Sequence, residues 1–103
     1  MPRVSIRRRR NSPARLSSKL LTVRTQLNES QNGMLVRLKI EDEFERDYVS
    51  KWERGLLEPP LFVLCAYAEA ANVWLEVLVK DELNLPEKLP GKKKSEGIRN
   101  IES

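Results

Sequence analysis

Arg46, Asp47, Ser50, Lys51 and Arg54 fall at i, i+1, i+4, i+5 and i+8, a spacing that gathers side chains on one face of a helix. Val49 and Trp52 stand three apart on the opposite face. Such a helix can anchor one face in a small core and hold long donors and acceptors outward. Its chemistry is hydrogen bonding and ion pairing with a polar partner rather than a reaction. Gly55 follows, a residue that can take the left-handed conformation that ends a helix. An ordinary amphipathic surface helix carries the same pattern, so the surrounding sequence has to decide between the two.

Reactive groups are scarce elsewhere. The chain of 103 residues has no histidine and one cysteine, Cys65. No intrachain disulfide and no Cys/His zinc site can be assembled. No phosphate-binding glycine loop is present. Carboxylates cluster from Glu41 to Glu45, but nothing around them suggests a pocket. No enzyme activity, cofactor or metal is therefore expected. Cys65 lies in the apolar run from Leu61 to Ala66 and reads as a small buried hydrophobe. A lone reduced thiol fits a cytoplasmic protein, and that run is too short to span a membrane.

Charge is distributed unevenly. Residues 1–15 carry six arginines and no acid, residues 16–90 carry nine bases and thirteen acids, and residues 91–103 carry four bases and two acids. Basic ends suit a polyanion such as nucleic acid, whereas the acidic middle does not. Arg7, Arg8, Arg9 and Arg10 repel one another and have little apolar surface nearby to offset ordering, so residues 1–13 read as a disordered phosphate-binding arm or a solubilising tail. The lack of acids from Met1 to Asn28 also matches a mitochondrial presequence. From Ala14 onward, however, that stretch has the periodicity of a folded helix.

Five helices are predicted to position the polar face. The first runs from Ala14 to Leu27 with Leu16, Leu20, Val23 and Leu27 as its stripe, Ser12 as N-cap and Pro13 at its first position. Ser30 caps a second, Gln31 to Leu38, which buries Met34, Leu35 and Leu38. Gly33 costs that helix stability, and either a close approach of backbone or phosphate, or simple crowding, would explain it. Lys39 to Glu45 is a longer turn or an extra turn ahead of the third helix, which spans about residues 45–54. Pro59 and Pro60 separate it from a fourth, Leu61 to Ala70, whose apolar face is read as Leu61, Leu64, Cys65 and Ala68. Asn72 can take a left-handed turn before a fifth helix, Trp74 to Asp81, burying Leu75, Leu78 and Val79. No strand is expected, and residues 83–103 read as an extended, then disordered, polar tail. The organisation expected is thus a basic arm over residues 1–13, a folded all-α domain over 14–82 and a tail over 83–103.

The order of Ser30-Gln31, then Val49 to Gly55, then Glu58-Pro59, then Ala68 to Leu75 resembles the Cro/repressor-type (XRE-like) helix-turn-helix family over about Leu16 to Glu82. The resemblance implies a compact five-helix domain with flexible basic ends that binds double-stranded DNA as a transcriptional regulator. It implies base reading by Arg46, Asp47, Ser50 and Lys51. Phosphate contacts fall to Ser30 and Gln31 at a helix N-terminus, and to Arg54 and the arm arginines. Arg24 and Glu53 take the place of the family's structural ion pair. This sequence departs from the family's pattern in the extra residues after Lys39, in Leu35 where a small residue is usual, and in Leu56-Leu57 where bases are common. Four acids also crowd the approach to the third helix. Leu56, Leu57 and Trp74, if contiguous, would form a homodimer or partner surface. The alternative is an antitoxin or adaptor on the same fold, whose acidic segment 41–47 binds a basic partner.

Overall fold

The computed structural model describes residues 13–91 and 93–99; the expected arm arginines Arg7 to Arg10 lie outside them. The helices are α1 (Leu16–Gln26), α2 (Gln31–Leu38), α3 (Arg46–Glu53), α4 (Leu61–Ala71) and α5 (Leu75–Val79), followed by β1 (Leu83–Asn84) and β2 (Ile98–Arg99). The protein is mostly helical, as the periodicity predicts.

The core forms where the stripes of α1 to α5 meet. Leu20, Val23, Met34, Val49, Tyr67, Val77 and Leu78 are fully enclosed. Trp52 is 2% exposed, and its ring packs edge-on against Phe44 at 5.2 Å and Tyr67 at 6.5 Å between centroids. Burial of large side chains of this kind contributes about 1.5–3 kcal/mol each, so the inward face of α3 is a principal anchor.

Punctuation is largely where the sequence puts it. Ser30 caps α2, its hydroxyl accepting from the Gly33 N–H at 2.9 Å. Ser30→Ala is expected to lower stability by about 1 kcal/mol, measurable as a shift of the urea midpoint. Lys39 ends α2 in the left-handed region at φ 62°, and Asn72 ends α4 at φ 60°. The segment from Lys39 to Glu45 is a turn, not an extension of α3. Ile40 is buried within it and its carbonyl accepts from the amides of Glu43 and Phe44.

Several expectations are corrected. In α4 the buried residues are Val63, Leu64, Tyr67, Ala68 and Ala71, whereas Leu61 and Cys65 are exposed. The first two turns of α4 are apolar on every side, so composition did not fix the helix phase. In α5 the deeply buried pair is Val77 and Leu78, with Leu75 and Val79 packed partly against the core. Residues 83–99 do not form a free tail where they are described. Leu83 pairs with Arg99 and Asn84 with Ile98 in an antiparallel ladder, and Val73 bridges Ser95. The return passes so close to α5 that a Cβ on Gly97 would lie 2.8 Å from a Val77 methyl and 2.9 Å from the Asn84 carbonyl oxygen. Only glycine fits that approach, and its φ of 84° asks for glycine as well.

The start of α1 also differs from expectation. The helix begins after Arg15, and its own residues supply no side-chain cap. Instead the Asp81 carboxylate accepts from the amides of Ala14 at 3.0 Å and Arg15 at 3.1 Å, while the Arg15 guanidinium donates to the Asp81 carbonyl and to Asn84. Lys19 reciprocates from α1. Its side chain is buried and its ammonium donates to the carbonyls of Val77, Lys80 and Leu83 at 2.8–2.9 Å. Each terminus that its own helix leaves unsatisfied is thus capped by the other. Burial lowers the Lys19 pKa to about 8; Arg15 adds to the shift, and Asp81 and Glu82 oppose it.

Burial works against the Asp81 carboxylate, but the Ala14 and Arg15 amides, with the charges of Lys19 and Arg15, outweigh it and hold its pKa below the usual value of 3.8. A carboxyl with a depressed folded-state pKa contributes stability above its unfolded pKa and loses it as pH falls through the folded one. Acid titration below about pH 4 is therefore expected to loosen the α1 terminus. Asp81→Asn should remove that part of the acid sensitivity, as followed by amide exchange at residues 14–16.

Candidate nucleic-acid interface

α3 holds the predicted polar face because Val49 and Trp52 turn the opposite face into the core. Arg46 and Asp47 at its first turn are exposed, and Ser50 and Lys51 are half-exposed. The four lie along one side of the helix, as the spacing requires. Arg54 reaches back, its Nε donating to Ser50 Oγ at 3.1 Å, so these two side chains form a unit. The Lys51 ammonium lies 5.9 Å from the Tyr48 ring centroid, a separation suited to a cation–π contact.

The predicted ion pair is formed and is bidentate. Arg24 Nε and the second guanidinium nitrogen donate to the two Glu53 carboxylate oxygens at 2.6 and 3.0 Å. The remaining nitrogen donates to the Glu29 carbonyl at 3.0 Å. The Glu53 side chain is 5% exposed and that of Arg24 19%. The hydrogen bond to Glu53 raises the Arg24 pKa, desolvation opposing and the Glu53 charge reinforcing it. One side chain thereby ties the end of α1, the approach to α2 and the end of α3 together.

Ser30 and Gln31, assigned to phosphate, sit at the start of α2. The Ser30 hydroxyl is engaged as the cap. The Gln31 amide stands 3.5 Å from a Glu53 oxygen and so leans toward the ion pair. The N–H groups of the first turn of α2 are free of intrahelical bonds by helix geometry. A Cβ at Gly33 would lie 2.5 Å from a Glu29 carboxylate oxygen and 3.1 Å from Ser30 Oγ, a contact that rotation of the flexible Glu29 side chain relieves. That Glu29 carboxylate pairs with Arg37 of α2 at 3.0 Å, a contact the sequence reading missed.

Glu41, Asp42, Glu43 and Glu45 are all exposed beside the start of α3. Glu45 occupies the N-cap position of α3, yet its side chain makes no cap bond. Leu56 and Leu57 are exposed on the connection after Gly55. Trp74 instead heads α5, where its amide donates to the Ser95 carbonyl and the Lys94 ammonium stands 4.8 Å from its ring centroid.

Comparison with protein-family models, curated proteins and solved structures finds no match to this chain. Among the described residues, no cluster of acids, cysteine or histidine suits a metal ion, and no helix is long and apolar enough to cross a membrane.

Proposed function

We propose that this protein is a sequence-reading DNA-binding regulator of the helix-turn-helix kind, with the outer face of α3 set against base edges in the major groove. The observation that carries the reading is the division of α3 itself. Val49 and Trp52 are buried while Arg46, Asp47, Ser50 and Lys51 remain outward. The Arg24–Glu53 pair holds the end of that helix fixed, and a rigid helix is what base recognition needs. Arg46 and Lys51 are the donors suited to guanine O6 and N7, and Asp47 can accept from a cytosine amino group. Arg54 and the N-terminus of α2 suit phosphate, where contacts position the protein without reading sequence. The arginines of residues 7–10 add affinity through counterion release. A two-fold dimer reading a palindrome is the arrangement in which such helices commonly work.

The test is a pair of substitutions on exposed and half-exposed positions. Arg46→Ala and Lys51→Ala are each expected to lose about 1–3 kcal/mol of discrimination at particular base pairs. Thermal unfolding should be unchanged in both. Sequence preference identical to the parent, together with binding abolished by removal of residues 1–13, would show that α3 does not read the DNA.

A further inference from the structure

A second surface lies beside the α3 face, and the reading above does not use it. Leu61 is 65% exposed, Phe62 53% and Tyr48 39%, and Cys65 is exposed one turn along α4 from Leu61 and Phe62. Helix geometry places Leu61, Phe62 and Cys65 on one side of α4. Phe44 joins that side to α3, its ring centroid 6.3 Å from Phe62 and 5.0 Å from Tyr48. The apolar surface is therefore continuous from the first turns of α4, through Phe44, to Tyr48. Phe44 itself stands in the acidic turn, with Glu41, Asp42, Glu43 and Glu45 within three residues of it and all exposed. Exposed apolar side chains are common singly. A contiguous exposed group rimmed by polar residues marks an interaction surface; here the rim carries the four acids of the turn and, beside Tyr48, the Lys51 ammonium.

The charge selects the occupant. Nucleic acid and anionic membrane surfaces are repelled by four carboxylates. A second copy packed through the same face would bring its own four carboxylates against these. A peptide segment with apolar side chains on one side and Lys or Arg on the other satisfies both parts of the surface, its apolar side covering Leu61 and Phe62 and its cations meeting the acidic turn. We infer that the surface formed by Phe44, Tyr48, Leu61 and Phe62, with the acidic turn 41–45, docks a basic amphipathic segment of a partner protein. This inference does not rest on DNA recognition, although the two surfaces adjoin where the Lys51 ammonium meets the Tyr48 ring.

The experiment uses the full chain and two labelled synthetic fifteen-residue helical peptides. Both carry leucine on one face; the other face is Lys/Arg in the first peptide and Glu in the second. Fluorescence anisotropy is expected to show binding of the basic peptide and not of the acidic one. Phe62→Ser and, separately, Leu61→Ser should each weaken the basic peptide at least about tenfold, as loss of a central apolar anchor does. Neutralising Glu41, Glu43 and Glu45 to glutamine should also weaken it and flatten its dependence on salt. Leu61→Ser touches no ring contact, so it remains decisive if Phe62→Ser impairs folding. Equal binding of the basic peptide to the parent and both serine variants would overturn the inference. A concentration-dependent dimer in sedimentation that Leu61→Ser abolishes would also overturn it and assign the face to a second copy. DNA binding by the parent and by Leu61→Ser is measured alongside. Its loss in Leu61→Ser alone would give the face to DNA, whereas its absence in the parent would bear only on the earlier proposal.

Discussion

Glu53→Ala is expected to cost about 3–5 kcal/mol of folding stability, the range for stranding one member of a buried ion pair. The substitution leaves the Arg24 guanidinium with its charge largely out of water and only the Glu29 carbonyl as partner. A domain of this size loses roughly 4–8 °C in melting temperature per kcal/mol, so the variant should be largely unfolded at temperatures where the parent is intact. Arg24→Ala should cost nearly as much, because it strands the more deeply buried Glu53 and frees the Glu29 carbonyl. The double variant Arg24→Met, Glu53→Leu should recover much of the loss, since a well-packed apolar pair carries no desolvation penalty. Chemical denaturation of the four proteins gives the full cycle. A loss below about 1 kcal/mol for Glu53→Ala would place the pair with exposed surface bridges and remove the argument that it fixes α3.

Lys19→Met is the second large effect, expected to cost at least about 3 kcal/mol. The methionine fills a similar volume but donates nothing, and the carbonyls of Val77, Lys80 and Leu83 lose their shared partner. A buried acceptor left unsatisfied costs about 1–3 kcal/mol, and the Val77 carbonyl is the most enclosed of the three. The loss should be local before it is global. Amide exchange at residues 80–84 should accelerate in the variant while the amides of α2 and α3 keep their protection. A destabilisation under about 1 kcal/mol would mean that water satisfies the carbonyls as well as the ammonium does.

These two effects differ in how far the sequence foretold them. The family resemblance implies the Arg24–Glu53 pair, which is formed with two hydrogen bonds. The bounds of α2 and the inward side of α3 followed from a serine cap and from apolar residues three apart, local signals that tertiary packing did not override. Lys19 carried no such signal. A lysine between two serines and a leucine pair looks solvated until the carbonyls from the far end of the domain close over it. Asp81 capping α1 is invisible for the same reason, with 66 and 67 positions separating donors from acceptor. The phase of α4 failed differently, because a helix start apolar all round gives periodicity nothing to act on. The return of residues 93–99 onto α5 was hidden by polar composition, and only the cramped site of Gly97 explains why the chain can pass there.

Within the candidate site, the outward residues of α3 were legible because their spacing is a helical one. The engagement of Ser50 by Arg54, and the lean of Gln31 toward Glu53, were not, since both depend on rotamers chosen in the fold. The exposed acids ahead of α3 were legible as a difficulty for DNA binding. Their neighbourhood to Phe62 was not, because it depends on how α4 is rotated about its axis.

Whether α3 reads base sequence is decided by selection of duplexes from a random DNA library by the full chain, at about 150 mM salt so that the arginine-rich arm does not dominate. Base reading by α3 predicts enrichment of a defined motif with two-fold symmetry, its half-sites about one helical turn apart, and loss of specific positions in that motif with Arg46→Ala or Lys51→Ala. A pool that stays random after repeated rounds, with a folded protein, would contradict it.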